Sequence, residues 1–262
     1  MNRIDERFAK VKADGRKALI TFLTVGDPNM EVSEKAIYTM QEEGVDLIEL
    51  GVPFSDPAAD GPVIQRADER ALAQGVDIFK VFELVRNIRN NVEVPMVFLL
   101  YYNVMVQYGI EKFFKRCQET GVDGLIIPDL PYEESDEIKE YTEKYGVYQI
   151  SLVSPTSKDR IKNIAKDAKG FLYCISSLGV TGEKSSFVTN FDEFVGTIKK
   201  YTDVPACVGF GVSNGRQVKE LTKYFDGAIV GSAIVKSIAT GESVEERINN
   251  LREKIKDLKS GL

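Results

Sequence analysis

Asp46-Leu47-Ile48-Glu49-Leu50-Gly51-Val52-Pro53-Phe54-Ser55-Asp56-Pro57-Ala58-Ala59-Asp60-Gly61-Pro62-Val63-Ile64-Gln65 is the stretch from which the rest of the chain can be read. The run 47–52 is apolar at nearly every position and breaks into a loop rich in Pro, Gly and Asp. Near-continuous apolarity over so short a length marks a strand covered on both faces, as in a parallel sheet. One carboxylate, Glu49, interrupts the run, and Asp60 follows eleven positions later in the loop. Burying an unpaired carboxylate is expensive and raises its pKa, which is what a general acid near neutral pH requires. An edge strand or a lysine partner would also account for Glu49.

The same pattern repeats along the chain. Apolar runs at 18–25, 47–52, 96–101, 124–128, 148–153, 171–175, 206–209 and 228–230 read as strands. Between them lie stretches of helical period, such as Ile78, Val81, Phe82, Val85 and Ile88. Eight β/α units of this kind predict an α/β protein, a (β/α)8 TIM barrel, as one domain over residues 1–262. Ile4, Phe8 and Val11 predict an extra N-terminal helix that plugs the barrel floor. Val244, Ile248, Leu251, Ile255 and Leu258 predict a last helix packed on the barrel wall.

Composition narrows the chemistry. The chain has 262 residues, 43% of them hydrophobic, and a net charge of −6. That charge offers no footprint for nucleic acid or for an anionic membrane. No apolar stretch approaches the roughly 20 residues of a spanning helix. The charged N-terminus is unlike a secretory signal. Cys117, Cys174 and Cys207 are odd in number and widely spaced, which reads as buried thiols in a reducing cytoplasm. The count of histidines is 0. Ser–His and Cys–His nucleophiles and His-ligated metals are thereby excluded, so proton transfer falls to Asp, Glu, Lys or Tyr. This strengthens the reading of Glu49.

Reactive groups of such barrels cluster at the C-terminal ends of the strands. Gly209-Phe210-Gly211-Val212-Ser213 follows the seventh strand and Gly231-Ser232-Ala233 the eighth. Glycine turns leading into helix N-termini there form an anion site, at the fold's usual phosphate position. Tight turns without a ligand are the plainer alternative. Residues 176–186, Ser-Ser-Leu-Gly-Val-Thr-Gly-Glu-Lys-Ser-Ser, read as a mobile lid after the sixth strand. Its serines lack a histidine to activate them, and no strand carries a Schiff-base lysine. Asp27, Asp56, Asp60 and Asp129 could be thought a metal set, but Asp27-Pro28 and Asp56-Pro57 look like turn formers, so no metal is expected.

With these residues in place, the chain resembles the tryptophan synthase α subunit family over nearly its whole length. Glu-Leu-Gly-Val-Pro-Phe-Ser-Asp-Pro-Ala-Ala-Asp-Gly-Pro at 49–62 and Gly-Val-Thr-Gly at 179–182 carry the resemblance. It implies cleavage of indole-3-glycerol phosphate to indole and glyceraldehyde 3-phosphate, with neither metal nor organic cofactor. It also implies a cytoplasmic α2β2 complex with a β subunit, faced by residues 54–61 and the segment near Asp129. By the same resemblance Glu49 is the principal acid–base catalyst and Asp60 acts on the indole nitrogen. The backbone at Gly182, Gly211, Gly231 and Ser232 takes the phosphate. Phe22, Leu100, Tyr173 and Phe210 line or adjoin the indole pocket, and Thr181 closes over Asp60. An acid in an apolar strand and an acid in a wet loop would then take two roles from two environments. A free-standing lyase and a non-catalytic phosphate-binding regulatory subunit are the alternatives.

Overall fold

The computed structural model describes residues 1–156, 158–175, 190–209 and 211–262. Among these, nine strands form one all-parallel sheet: β1 (Ala18–Thr24), β2 (Leu47–Gly51), β3 (Met96–Leu99), β4 (Gly124–Ile126), β5 (Tyr148–Gln149), β6 (Leu152–Val153), β7 (Leu172–Ile175), β8 (Ala206–Gly209) and β9 (Gly227–Val230). Their spatial order is β5-β4-β3-β2-β1-β9-β8-β7-β6. The two outermost strands are the two halves of the single run expected at 148–153. The Ile150 amide donates to the Leu125 carbonyl at 2.8 Å, while the Tyr173 amide reaches back to the Ser151 carbonyl at 3.0 Å. One half thus leans on β4 and the other on β7. Eight staves result, and the fifth, broken at Ile150-Ser151, closes the barrel.

Alternation along the strands separates two cores. Outward residues such as Ile48, Leu50, Phe98 and Leu100 pack with the helices in a large outer cluster. Inward residues, among them Ile20, Leu47, Val97, Ile126, Phe171 and Ile229, pack with Ile4, Phe8 and Val11 of the helix Arg3–Ala13. That helix therefore plugs the barrel, with the Phe8 and Phe171 rings 5.7 Å apart. The last helix, Val244–Lys259, buries Leu251, Ile255 and Leu258 in the outer core.

The floor is held by three aspartates that precede alternate strands. Asp46 accepts from the Leu19 amide at 3.0 Å, Asp123 from that of Met96 at 2.8 Å and Asp226 from that of Ala206 at 2.9 Å. Arg16, Arg3 and Lys199 respectively neutralise them at 2.7, 2.8 and 2.6 Å. With the floor sealed by a helix and ion pairs, the open end of the barrel is where the strands finish.

Candidate active site

The register puts Phe22 of β1 beside Glu49 of β2, with Val97 of β3 on the other side. Because Ile48 and Leu50 face the helices, Glu49 faces the barrel interior. It is 1% exposed, and its Oε1 has no hydrogen-bond partner among the described residues. Burial alone pushes its carboxyl up to about 8. Glu49 therefore carries a proton at neutral pH, in a place where packing would favour a leucine.

Glycines at the strand ends make room above it. A Cβ on Gly51 would lie 2.5 Å from the Phe22 ring, and one on Gly209 would lie 2.5 Å from the Tyr173 hydroxyl. Two aromatic rings thus occupy space that side chains on Gly51 and Gly209 would fill. Tyr173 feels the charges of both Glu49 and Asp60, which, after burial, push its phenol well above the usual range. The two acids of the sequence reading therefore share one mouth.

Asp60 departs from expectation. It is not in a wet loop: it is 6% exposed and accepts a hydrogen bond from the Tyr101 hydroxyl at 2.7 Å. Burial raises its pKa, and the Tyr101 bond works in the opposite direction. The Tyr101 hydroxyl also accepts from the Ala59 amide at 2.9 Å, and its ring stacks on Phe54 at 5.0 Å. Tyr101 thus fixes the loop at three points. In the sequence Tyr101 is only the end of the apolar run 96–101, with no local signal of this role.

Leu100 is a second departure. It lies in the outer core among the helices, whereas Leu99 packs with Phe22 and Ile64 at the mouth. A shift of one residue along a strand exchanges the two faces. Gly231 and Ser232 stand at the N-terminus of the helix Ser232–Ala239, and a Cβ on Gly231 would lie 3.7 Å from Phe22. First-turn amides of a helix have no intrahelical partner and attract anions. Gly211 sits two residues beyond the pair Gly209–Ile229 with φ of +73°, a left-handed conformation that favours glycine. Thr181, Gly182 and Phe210 lie outside the described residues, as does the segment 176–186.

Among the described residues there is no cluster of potential metal ligands. No helix among them is long and apolar enough to cross a membrane.

A plugged parallel barrel whose open end gathers a neutral glutamic acid, an aspartate, aromatic rings and a helix N-terminus has the architecture of a barrel enzyme, with two carboxyls placed where acid–base chemistry could occur. Comparison with known proteins makes this specific. The family described as Tryptophan synthase alpha chain matches residues 8–262. The tryptophan synthase alpha chain of Thermoanaerobacter sp. (strain X514) is 47% identical over 262 residues, covering 100% of each chain. That of Methanocaldococcus jannaschii is 46% identical over 238 residues, 90% of this chain and 84% of its own. Among solved structures, tryptophan synthase of Mycobacterium tuberculosis superposes with a TM-score of 0.90 at 35% identity, over 99% of this chain and 98% of that one. Tryptophan synthase subunit alpha of Legionella pneumophila does so with a TM-score of 0.84 at 34% identity, over 98% and 99%. The chain belongs to the tryptophan synthase alpha chain family.

Proposed function

We propose that this chain cleaves indole-3-glycerol phosphate to indole and glyceraldehyde 3-phosphate, as the α subunit of tryptophan synthase in L-tryptophan biosynthesis. The observation that carries the chemistry is the buried, protonated Glu49. Its proton goes to indole C3, and the ring nitrogen gains positive character. Asp60, oriented by Tyr101, stabilises that nitrogen as a fixed anion. The C3–C3′ bond then breaks and its electron pair restores the aromatic ring. The 3′ hydroxyl becomes the aldehyde and returns its proton to Glu49, which ends the cycle as it began. One carboxyl thus serves as acid and then as base.

Phe22, Leu99 and Tyr173 would flank the indole, with Leu99 taking the place first given to Leu100. Amides at Gly211, Gly231 and Ser232 would take the phosphate, and Thr181, Gly182 and Phe210 would complete the enclosure as the family resemblance implies. A β subunit in an α2β2 assembly would be the partner, receiving the indole. Assaying indole release from indole-3-glycerol phosphate by this chain, alone and with a β subunit, tests the reading. No indole in either case would refute it.

Two further expectations arise at this site. Gly211→Val fills the left-handed turn with a branched side chain and should raise KM for the phosphorylated substrate while leaving free indole binding intact. Inorganic phosphate should compete in the parent protein. Failure of millimolar phosphate to compete would displace the phosphate site. Tyr101→Phe keeps the stack on Phe54 but removes the hydroxyl between Ala59 and Asp60. Hydrogen bonds to charged groups contribute about 1.5–3 kcal/mol, so kcat should fall by about tenfold or more. A fall below about twofold would show that Asp60 is held by other means.

A further inference from the structure

Asp68 is a buried acid that the chemistry above leaves unused. It lies on the helix Pro62–Ala73, which follows the loop that carries Asp60, and is 4% exposed. Thr24, the last residue of β1, donates to its Oδ1 at 3.3 Å. The Phe54 amide, in the loop after β2, also acts on its carboxyl and favours the charged form. Phe54 stacks on Tyr101, and Tyr101 holds Asp60. A short path of contacts therefore runs from Asp68 through Phe54 and Tyr101 to Asp60.

The charges around Asp68 come from two directions. Asp60 faces it from the loop, and Asp27 from the turn after β1, itself held by the Arg70 fork at 2.6 and 2.8 Å. Tyr101 feels the charge of Asp68 in turn. Lys236, on the helix Ser232–Ala239 that packs on this one, is exposed to solvent. The two donors, Thr24 and Phe54, favour an ionised Asp68. Burial and the charge of Asp60 outweigh them, and the carboxyl is pushed up to about 8. Two neighbouring buried carboxyls do not readily ionise together, so one proton is retained between them. Held by Asp68, that proton leaves Asp60 as the anion the reaction needs.

We propose that Asp68 is a positioning residue for Asp60: its neutral carboxyl ties the end of β1 and the loop at Phe54 to the helix, and its ionisation drives Asp60 out of place. This rests on the lyase reading. Asp68 is anchored in a helix whereas Asp60 sits in a loop, so repulsion between the two displaces Asp60. Above the pH at which Asp68 ionises, the site loses activity for a reason separate from the loss of the Glu49 proton.

The test measures kcat/KM for indole release from pH 6 to 10 with the full chain, its β subunit present, as wild type, Asp68→Asn and Asp68→Ala. In the wild type two protons must be retained, so log(kcat/KM) should approach a slope of −2 at alkaline pH. Asp68→Asn keeps an acceptor for the Phe54 amide but cannot ionise, and its slope should be −1. Asp68→Ala loses the tie at every pH. Its kcat should fall by about tenfold to a hundredfold, the scale of a small misplacement, and Asp68→Asn should restore it at pH 7. A wild-type slope of −1, or a slope of −2 kept in Asp68→Asn, would overturn the proposal. So would an Asp68→Ala enzyme with wild-type kcat. If Asp68→Ala does not fold, the slopes of the other two decide. Absence of indole release by the wild type at any pH would overturn the lyase reading, and this inference with it.

Discussion

Glu49→Gln is expected to fold normally, bind indole-3-glycerol phosphate and release indole at a rate lower by about 10²–10⁴-fold, the range of general acid–base catalysis. The amide matches the carboxyl in shape, so the loss isolates the proton. No histidine exists to take over. The same substitution has a second, opposite signature in stability. Folded Glu49 keeps a proton up to about 8, whereas its ordinary value is 4.5. Between those two pH values the folded state binds a proton that the unfolded chain has released. The wild type is therefore progressively destabilised as pH rises from 4.5 to about 8, and the full penalty is present above that. Glu49→Gln carries no such penalty. Its Tm should equal or exceed that of the wild type at pH 9, with the difference shrinking towards pH 4. A mutant that retains about a tenth of wild-type turnover would remove Glu49 from the acid–base role.

Asp60→Asn should have the next largest effect. Losing a preorganised charge beside a developing one costs about 10²–10³-fold in kcat. The amide oxygen can still accept from Tyr101, so the loop keeps its place and KM should change little. Since burial pushes the Asp60 carboxyl up, its ionised form is poorly solvated in the folded protein. The Asn variant should accordingly be at least as thermally stable as the wild type near neutral pH. Steady-state kinetics and a melting curve on the same preparation check both halves. A raised KM with unchanged kcat would make Asp60 a binding group only.

Both substitutions exchange stability for activity in the same direction, and the reason lies in where the acids sit. A barrel mouth that excludes water strengthens every charge interaction in it but solvates no carboxylate well. Glu49 could be read from the sequence because its neighbours in the chain, Leu47, Ile48, Leu50 and Val52, announce a buried strand. Asp60 could be picked out but its environment could not. The side chain that covers it, Tyr101, comes from 41 positions away in the chain. Asp68 gave no signal, since an acid in an amphipathic helical stretch reads as a solvated face. The packing of that helix on β1 and on the helix Ser232–Ala239 buries it.

By itself the sequence determined the parallel eight-stave barrel, its helical plug, the acid inside the second strand and the glycine turns after the last two. Each of these rests on local periodicity or on the special backbone needs of glycine, which the chain carries wherever it folds. Tertiary structure alone decided which face of each strand looks inward, and so why Leu99 rather than Leu100 meets Phe22. It decided that the fifth stave breaks at Ile150-Ser151, because that stave must bond β4 on one side and β7 on the other. It decided too that a loop acid is buried beneath a tyrosine beside a second, hidden carboxyl. Register and burial are relations between segments distant in the chain, and a one-residue shift in either leaves the local pattern unchanged while exchanging core for pocket.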